Sequence, residues 1–430
     1  MSRRLCAAAL LAAAATAQGP PTPAELSNST ICDALGFPSL DGYLLRLPLE
    51  SPYGRTSSAP VFLPVYATLP DGVLGNAVFE NVTTAVVYIH GLRGAANEYF
   101  CAGAAAAAGH DGVLSLAPWF GDEQVTAEIW GAPAGEAGVS AFWRSATRWL
   151  TGGNTFAGAD GASPQTRYST AFDALDALVS ALRDGGGFPN LKLITIAGFS
   201  AGAQLASRYA FASPASLPPA PGAAAVRVIV SDPSSLMYLD GRRPAPACRP
   251  LRDTGAGWKC AEFDVPPEAP DCADYDVYKF GINNASYLNG YMALFDEDPA
   301  LRAETVRAFA AKDVVWIFGD EDVCNCNAPG FSNAPSCYIE GMTCLPDAEG
   351  GPGCCDTAPD GMSNKVDFSC EAMVQGSNRL QRGVLYFDYL SAFFDEAGEP
   401  FAHRRFFGHF AHNNSGEYAS EAFQQFAFNV

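Results

Sequence analysis

Short apolar runs separated by helical patterns predict a mostly parallel central sheet with helices on both faces. Residues 191–197 carry the clearest strand pattern, because this run is short, mostly apolar and rich in β-branched residues, as in a fully buried parallel strand. The other predicted strands are residues 84–89, 113–116, 225–230, 313–318 and 404–407, with residues 61–68 as an early antiparallel strand at the edge. The predicted fold class is therefore α/β.

Residues 170–184 carry the clearest helix pattern. Their apolar side chains recur with a period of 3.6 residues, which places them on one face. Thr170 and Asp173 resemble a capping box at the start, and a glycine run beginning at Gly185 ends the helix. Further helices are predicted around residues 98–108, 203–212, 377–394 and 420–428.

Three stretches interrupt this rhythm. Residues 131–165 are rich in glycine and alanine, which predicts a long loop over one face of the sheet. Residues 237–300 carry prolines, cysteines and aromatic residues without a regular period, as expected of a cap insertion, and residues 324–370 form a Cys-rich insertion. We therefore expect one large domain over residues 18–430 that contains both insertions.

A Gly-x-Ser-x-Gly motif centred on Ser200 joins the strand at residues 191–197 to a predicted helix. Strand, motif and helix in this order form the nucleophile elbow of α/β-hydrolases. Small flanking residues let the strand and helix approach closely, and the helix N-terminus offers free N–H groups where negative charge develops. The motif alone is weak evidence in a chain with 42 glycines, but its position between strand and helix makes Ser200 the predicted nucleophile.

Two backbone N–H groups are expected to form an oxyanion hole beside this serine. One belongs to Ala201, directly after the nucleophile. The other is expected from the loop after residue 89, at Leu92 or Arg93, with Leu92 as the choice. His90 lies in the turn that brings this loop close and is expected to be structural.

A serine nucleophile needs a base, and the base needs an orienting carboxylate; in this fold the chain order is Ser, acid, His. The acid is expected on the turn at residues 319–323, after the strand that follows the cap. Asp322 is preferred because it lies three residues past the glycine that turns the chain, and Asp320 is the alternative.

The base is expected among the last histidines of the chain. His412 is preferred because it follows the end of the last strand, where α/β sheets collect their catalytic groups. His403 precedes that strand and is expected at the surface, whereas His409 is expected to have a packing role. His110, at the end of a predicted helix, is expected to meet the helix dipole.

The N-terminus resembles a secretory signal peptide. Arg3 and Arg4 precede an apolar stretch at residues 5–15, and Ala17 ends a small-residue cleavage site, so residues 1–17 are predicted to be removed. The stretch is too short for a stable membrane span, and no later segment is apolar for long enough. We expect an exported, extracellular protein without a membrane span.

Cysteines and glycosylation motifs agree with export. Of the 13 cysteines, Cys6 lies in the predicted signal peptide, and the remaining even number favours disulfides. A zinc site in the Cys-rich insertion is disfavoured because that region has no histidine and no paired C-x₂-C spacing. We therefore predict no metal and no cofactor. Glycosylation sequons begin at Asn28, Asn81, Asn284 and Asn413.

The formal net charge of −20 disfavours nucleic acid and anionic membranes as partners. We take its main effect to be solubility. The predicted partner is a small-molecule or polymeric ester substrate.

Several blocks of the chain resemble the secreted serine-hydrolase-like α/β-hydrolases found mostly in fungi and other microbial eukaryotes, proteins without an assigned substrate. The similarity covers residues 86 to the C-terminus and rests on the blocks IHGLRGAANEYFC (89–101), FDALDALVSAL (172–182), FPNLKLITIAGFSAGAQLASRYA (188–210), SDPSSLMYLDGRRP (231–244), SCEAMVQGSNRLQRG (369–383) and FGHFAHNNSGEYASEAF (407–423). In the last block His412 occupies the histidine position of the family, whereas block 369–383 is interpreted as a marker of ancestry, not of chemistry. The sequence departs from the family at Phe199, where histidine is frequent, and at Ala203, where glycine is frequent, and both changes are expected to reshape the acyl pocket.

The resemblance implies an α/β-hydrolase fold and a serine hydrolase that cleaves a carboxylic ester through an acyl-enzyme. Ser200 is the expected nucleophile, His412 the base and Asp322 the acid. The alternatives are a lipase or polyester depolymerase, a peptidase, or a catalytically silent hydrolase fold used for binding.

Overall fold

The computed structural model describes residues 30–37, 39–40, 42–54, 61–69, 77–92, 94–121, 141–143, 148–155, 168–245, 248, 260–266, 272–285, 289–322, 366–367, 369–376 and 378–429. The predicted signal peptide and nearly all of the Cys-rich insertion lie outside these residues. The strands are β1 Leu44–Leu49, β2 Val61–Ala67, β3 Thr84–Ile89, β4 Val113–Pro118, β5 Leu193–Phe199, β6 Ala225–Ser231, β7 Arg243–Pro244, β8 Phe263–Asp264, β9 Val314–Gly319 and β10 Arg404–Gly408. The α-helices are α1 Thr30–Ala34, α2 Ala96–Ala107, α3 Ala171–Asp184, α4 Ala201–Ala212, α5 Ala293–Glu297, α6 Pro299–Ala310, α7 Cys370–Met373, α8 Arg379–Ala397, α9 Asn414–Ala419 and α10 Glu421–Phe428.

Eight of the strands form one mixed sheet in the order β1-β2-β4-β3-β5-β6-β9-β10. The six strands from β4 to β10 in this order pair in parallel, and only β2 pairs antiparallel, with both β1 and β4. The predicted α/β class with a mostly parallel sheet is confirmed. The nucleophile motif follows β5, near the centre of the sheet.

The position predicted for residues 61–68 is wrong in one respect. β2 is antiparallel, as expected, but it is the second strand and not the edge, because β1 pairs along its outer side from Leu44 to Leu49. β1 was missed although its exposed Arg46 and Pro48 alternate with buried leucines, which is the period-2 pattern of an edge strand.

Buried side chains pack on both faces of the sheet. Along β3, Ala85, Val87 and Ile89 belong to one apolar cluster, whereas Val86 and Tyr88 belong to a second. Because successive side chains of a strand point to opposite faces, the two clusters cover the two sides of the sheet. The central strands are therefore buried on both sides, as their near-continuous apolar sequences require.

The amphipathic helix predicted for residues 170–184 is α3, and its capping box is present. The Thr170 hydroxyl accepts a hydrogen bond from the Asp173 N–H at 3.1 Å, and the Thr170 N–H donates to the Asp173 carboxylate at 3.0 Å. The predicted apolar face is buried from Ala171 to Leu182. Local sequence signals thus set the start and the orientation of this helix.

Three disulfides occur within the described residues: Cys32–Cys101, Cys248–Cys260 and Cys272–Cys370. The disulfides predicted from the even cysteine count are confirmed for these six residues. Cys272, in the predicted cap, is tied to Cys370 at the start of α7. The other six cysteines of the predicted mature chain lie outside the described residues.

None of the helices in the described part of the chain combines the length and the apolar character needed to cross a bilayer.

Candidate active site

Ser200 lies on a strained turn between β5 and α4. Its φ of 59° is in the left-handed region, which is uncommon for a residue other than glycine. The turn requires close backbone contacts: a Cβ on Gly198 would lie 2.3 Å from the Gly202 carbonyl oxygen, and one on Gly202 would lie 2.2 Å from the Ile89 carbonyl oxygen. Glycine at both positions therefore lets α4 and β3 approach the serine.

The side chains of Ser200, His412 and Asp322 form one hydrogen-bonded chain. His412 Nε2 lies 3.0 Å from Ser200 Oγ, and His412 Nδ1 lies 2.6 Å from Asp322 Oδ2. A carboxylate only accepts hydrogen bonds, so Nδ1 carries the proton and Nε2 is free to accept the serine O–H. Residues from three distant parts of the chain thus meet in the arrangement that activates a serine.

Each side chain of this arrangement comes from the carboxyl end of a sheet strand. Ser200 follows β5, Asp322 follows β9 and His412 follows β10. Because β9 and β10 pair in parallel and end in register at Gly319 and Gly408, the loops after them emerge side by side. The sheet topology therefore brings Asp322 and His412 together although 90 residues separate them.

The electrostatics favour an ionised Asp322 and a neutral His412. Burial alone would raise the pKa of Asp322, but its interactions with His412 and Arg379 outweigh burial and hold it below its usual value. Burial lowers the pKa of His412, and the positive charge of Arg379 lowers it further, against the opposing effect of Asp322. A neutral imidazole is the form that accepts a proton from serine.

Phe199 packs on His412. Its ring lies 4.7 Å from the His412 ring, centroid to centroid, in a stacked arrangement. The family that the sequence resembles often has histidine at this position. Here the apolar phenylalanine ring helps to desolvate His412.

The other late histidines lie in environments opposite to those expected. His403, expected at the surface, is buried, where its Nε2 donates to the Phe309 carbonyl at 2.8 Å and burial lowers its pKa to about 4. His409, expected to pack, is 81% exposed in its side chain and lies 3.2 Å from Asp320. β10 ends at Gly408, so His409 already lies in the loop that follows the strand. His403 instead packs against Phe309 at the apolar end of α6.

Asp320, the alternative acid, belongs to this exposed pair and not to the chain of hydrogen bonds that ends at Ser200. His110 Nε2 lies 2.9 Å from the Gln424 side-chain oxygen, and its ring stacks on Phe428, so its side chain contacts α10, while its backbone N–H donates to the Ala107 carbonyl at the end of α2.

The loop after β3 lies beside Ser200. A Cβ on Gly91 would be 3.9 Å from the Ser200 Cβ, so the backbone passes close to the nucleophile. His90 is buried and holds this loop: its Nδ1–H donates to the Gly91 carbonyl at 2.8 Å, and its Nε2 accepts from the Phe120 N–H at 2.9 Å. Leu92 follows in this loop, Ala201 begins α4 directly after the serine, and Arg93 lies outside the described residues.

Sequence reasoning missed three buried ionisable groups, two beside Asp322 and a third near Asp232. Arg379 Nη1 lies 3.5 Å from Asp322 Oδ1, and both side chains are almost fully buried. Asp232, directly after β6, is buried, and one of its carboxyl oxygens lies within 4.8 Å of a carboxyl oxygen of Asp322. Glu417, on α9, is also buried, and burial raises its pKa to about 8.

Block 369–383, interpreted from the sequence as a marker of ancestry alone, therefore reaches the acid through Arg379. A sequence signal for Asp232 exists, because it follows directly on a predicted strand, at the edge of the sheet where functional groups gather. Glu417 has no comparable signal.

Asp232, Asp322 and His412 each present a potential ligand atom, and these atoms lie within 4.8 Å of one another. Such a group has the composition of a metal site. Here the groups already have hydrogen-bond partners, because His412 Nδ1 bonds to Asp322 and Asp232 accepts from the Gly319 N–H. We interpret the group as a hydrogen-bonded network and assign no metal to it.

The strand order and the strained serine between a parallel strand and a helix together define an α/β-hydrolase fold. No protein-family model matches the chain, and no curated protein matches it. Similar solved structures include poly(aspartic acid) hydrolase-1 from Sphingomonas sp. KT-1, at 16% identity and a TM-score of 0.48, covering 89% of this chain and 100% of that chain. A poly(3-hydroxybutyrate) depolymerase from Bordetella parapertussis is similar at 14% identity and a TM-score of 0.46, covering 89% of this chain and 90% of that chain.

The siderophore hydrolase EstA from Aspergillus nidulans is similar at 10% identity and a TM-score of 0.34, covering 89% of this chain and 92% of that chain. At these identities and TM-scores, the fold assignment rests on the strand order and the elbow of this chain itself.

Proposed function

We propose that this protein is a serine hydrolase that cleaves a carboxylic ester. The observation that carries the proposal is the hydrogen-bonded chain from Ser200 through His412 to Asp322, at a strained turn between strand and helix. Each side chain has the protonation state that acyl transfer needs: a neutral imidazole beside the serine hydroxyl and an ionised carboxylate behind it.

In the proposed reaction, Ser200 Oγ attacks the ester carbonyl carbon while its proton passes to His412 Nε2. The N–H groups of Ala201 and Leu92 stabilise the negative charge on the carbonyl oxygen. The intermediate collapses, the ester C–O bond breaks, and His412 returns the proton to the leaving alcohol. Water then attacks the acyl-enzyme with His412 as base, which releases the carboxylic acid and restores Ser200.

Hydrolysis of p-nitrophenyl esters of increasing acyl length tests the proposal. We expect the wild-type protein to release p-nitrophenol, and the Ser200→Ala variant to retain only a residual rate. The acyl length that gives the highest kcat/KM separates a short-chain esterase from a lipase or polyester depolymerase, and a parallel assay with p-nitroanilides detects peptidase activity. Equal rates for wild type and Ser200→Ala would overturn the proposal and favour a catalytically silent fold.

We also propose that the protein is exported and glycosylated. The N-terminal apolar stretch after Arg3 and Arg4 supports export, as do the three disulfides. The sequon residues Asn81, Asn284 and Asn413 are all exposed, as glycan attachment requires. N-terminal sequencing of protein recovered from the medium should begin at Gln18, and treatment with an endoglycosidase should lower its mass; intracellular protein that keeps Met1 would contradict export.

A further inference from the structure

The carboxyl groups of Asp232 and Asp322 share a buried pocket behind His412. Both side chains are almost fully buried, and carboxyl oxygens of the two residues lie within 4.8 Å of each other. The Gly319 N–H also donates to Asp232, at 3.2 Å to one carboxyl oxygen and 3.3 Å to the other. Two ionised carboxylates this close in a buried pocket would repel each other, so one of the two is expected to hold a proton, which it can donate to the other.

The charged neighbours decide which of the two residues holds this proton. Asp322 faces two groups that favour its ionised form, His412 Nδ1 at 2.6 Å and Arg379 Nη1 at 3.5 Å. Asp232 accepts from the neutral Gly319 N–H, and it faces the ionised Asp322, whose negative charge opposes its ionisation. The proton therefore belongs on Asp232.

We infer that Asp232 is a protonated positioning residue, which donates a hydrogen bond to Asp322 and so orients the carboxylate that holds His412. The inference rests on the proposed function, because its effect on catalysis acts through His412 and Ser200. Consistent with it, burial and the charge of Asp322 raise the pKa of Asp232 well above its usual range.

The backbone supports a specific placement of this residue. Among the described residues, φ is positive at only three residues other than glycine: Ser200, Asp232 and Asn284. Asp232 has a φ of 51°, in a conformation that costs free energy and persists where the surrounding fold imposes it. Two of the three strained residues thus lie in one hydrogen-bonded network, one at each end.

The donated hydrogen bond has two consequences. It adds a third donor to Asp322, whose oxygens also accept from His412 and Arg379, and so restricts the carboxylate to one orientation. It also withdraws negative charge from Asp322, which lowers the basicity of His412 and keeps the imidazole neutral. If Asp232 only held β6 against β9, it would still orient the Asp322 carboxylate, but it would not change the pKa of His412.

Asp232→Asn and Asp232→Leu separate these possibilities. Asparagine keeps an N–H donor toward Asp322, so we expect kcat/KM to fall by less than about tenfold and the acid limb of the pH profile to stay in place. Leucine removes the donor, so we expect kcat/KM to fall by about 10- to 100-fold and the acid limb to move to higher pH, since His412 then faces a fuller negative charge. Melting temperatures of both variants control for loss of folding.

The inference would be overturned if Asp232→Asn moved the acid limb to lower pH, because that result means that an ionised Asp232 had been raising the pKa of His412. It would also be overturned if Asp232→Leu were folded and kept the wild-type pH profile.

A second readout needs no turnover and remains decisive if Asp232→Leu does not fold. Infrared difference spectra at pH 7, wild type minus Asp232→Asn, should show the carbonyl band of a protonated carboxylic acid. Glu417→Gln is the matched control, because Glu417 is another buried carboxyl group expected to hold a proton there. The inference would be overturned if Asp232→Asn kept every protonated-carboxyl band of the wild-type protein. If Asp232→Asn loses the band but the wild-type protein hydrolyses no ester, the protonated pair is supported and the proposed function is rejected.

Discussion

The two ends of the proposed catalytic chain are built in different ways. Ser200 owes its position to its neighbours in sequence: Gly198 and Gly202 allow backbone contacts that a side chain would block. Asp322 owes its position to groups distant in sequence, namely Asp232 after β6, Arg379 at the start of α8 and His412 after β10. The first end depends on steric fit, and the second on the balance of buried charges.

This difference determines how each end fails. A strained turn has one steric solution, so a single added methyl group disrupts it. A buried charge cluster has several protonation states, so its members change pKa before the structure fails. The predictions below separate these two kinds of failure, and the largest concerns the acid itself.

Asp322→Asn should lower kcat by about 10⁴-fold, because an amide N–H in place of the carboxylate favours the wrong tautomer of His412. Asp320→Asn is the matched control two residues away, and its kcat should stay close to that of wild type, since Asp320 contacts the exposed His409. Steady-state ester hydrolysis measures both variants. Similar losses in the two variants, or a larger loss in Asp320→Asn, would contradict the assignment of the acid.

Gly202→Ala should lower the free energy of unfolding by about 3 kcal/mol, because the new Cβ would lie 2.2 Å from the Ile89 carbonyl oxygen. Gly109→Ala is the control, since nothing lies within 4 Å of a Cβ at that position, and its effect should stay within about 0.5 kcal/mol. Urea unfolding curves measure the difference. Equal stability of the two variants would show that the elbow tolerates a wider turn than its contacts indicate.

Glu417→Gln should change the dependence of stability on pH. Burial raises the pKa of Glu417 to about 8, so between about pH 5 and pH 8 the folded protein holds a proton that the unfolded chain releases. Wild type therefore loses stability from this group as the pH rises, and glutamine does not. The advantage of Glu417→Gln in free energy of unfolding should grow by about 2 to 3 kcal/mol from pH 5 to pH 8.

The comparison with wild type at each pH cancels the other titrating groups, including buried Lys312, whose pKa burial lowers to about 7. A constant difference between the two proteins from pH 5 to pH 8 would show that Glu417 is ionised in the folded state.

Arg379→Met should move the acid limb of kcat/KM upward by about one pH unit. In wild type this limb is expected below the ordinary histidine value of about 6.5, because burial and Arg379 both lower the pKa of His412. Without the positive charge, the imidazolium is less disfavoured and the base is protonated at higher pH. Arg379→Lys retains the charge and should keep most of the wild-type profile; the same limb in all three proteins would mean that Arg379 acts only in packing.

The elements that the sequence predicts well are those with local signals. The capping box of Thr170 and the glycines around Ser200 act within a few residues, so pattern and structure agree there. The late histidines show the limit: His409 differs from His403 in burial because of where β10 ends and what α6 covers, and neither fact is local.

The charged groups around Asp322 show the same limit more strongly. The roles of Arg379 and Asp232 can be inferred only when the positions of β6, β9 and α8 are known. The ion pair of Arg379 with Asp322 at 3.5 Å and the raised pKa of Asp232 both arise from packing in the interior. Glu417 has no sequence signal, since a glutamate on a short helix is usually exposed and only the buried position of α9 changes its pKa.

Labelling with a fluorophosphonate tests most directly whether the buried charges activate the strained serine. Intact-mass spectrometry of folded wild-type protein should show one adduct, peptide mapping should place it on Ser200, and Ser200→Ala should remain unlabelled. Folded wild-type protein that takes up no label, or takes it up equally in Ser200→Ala, would contradict the account.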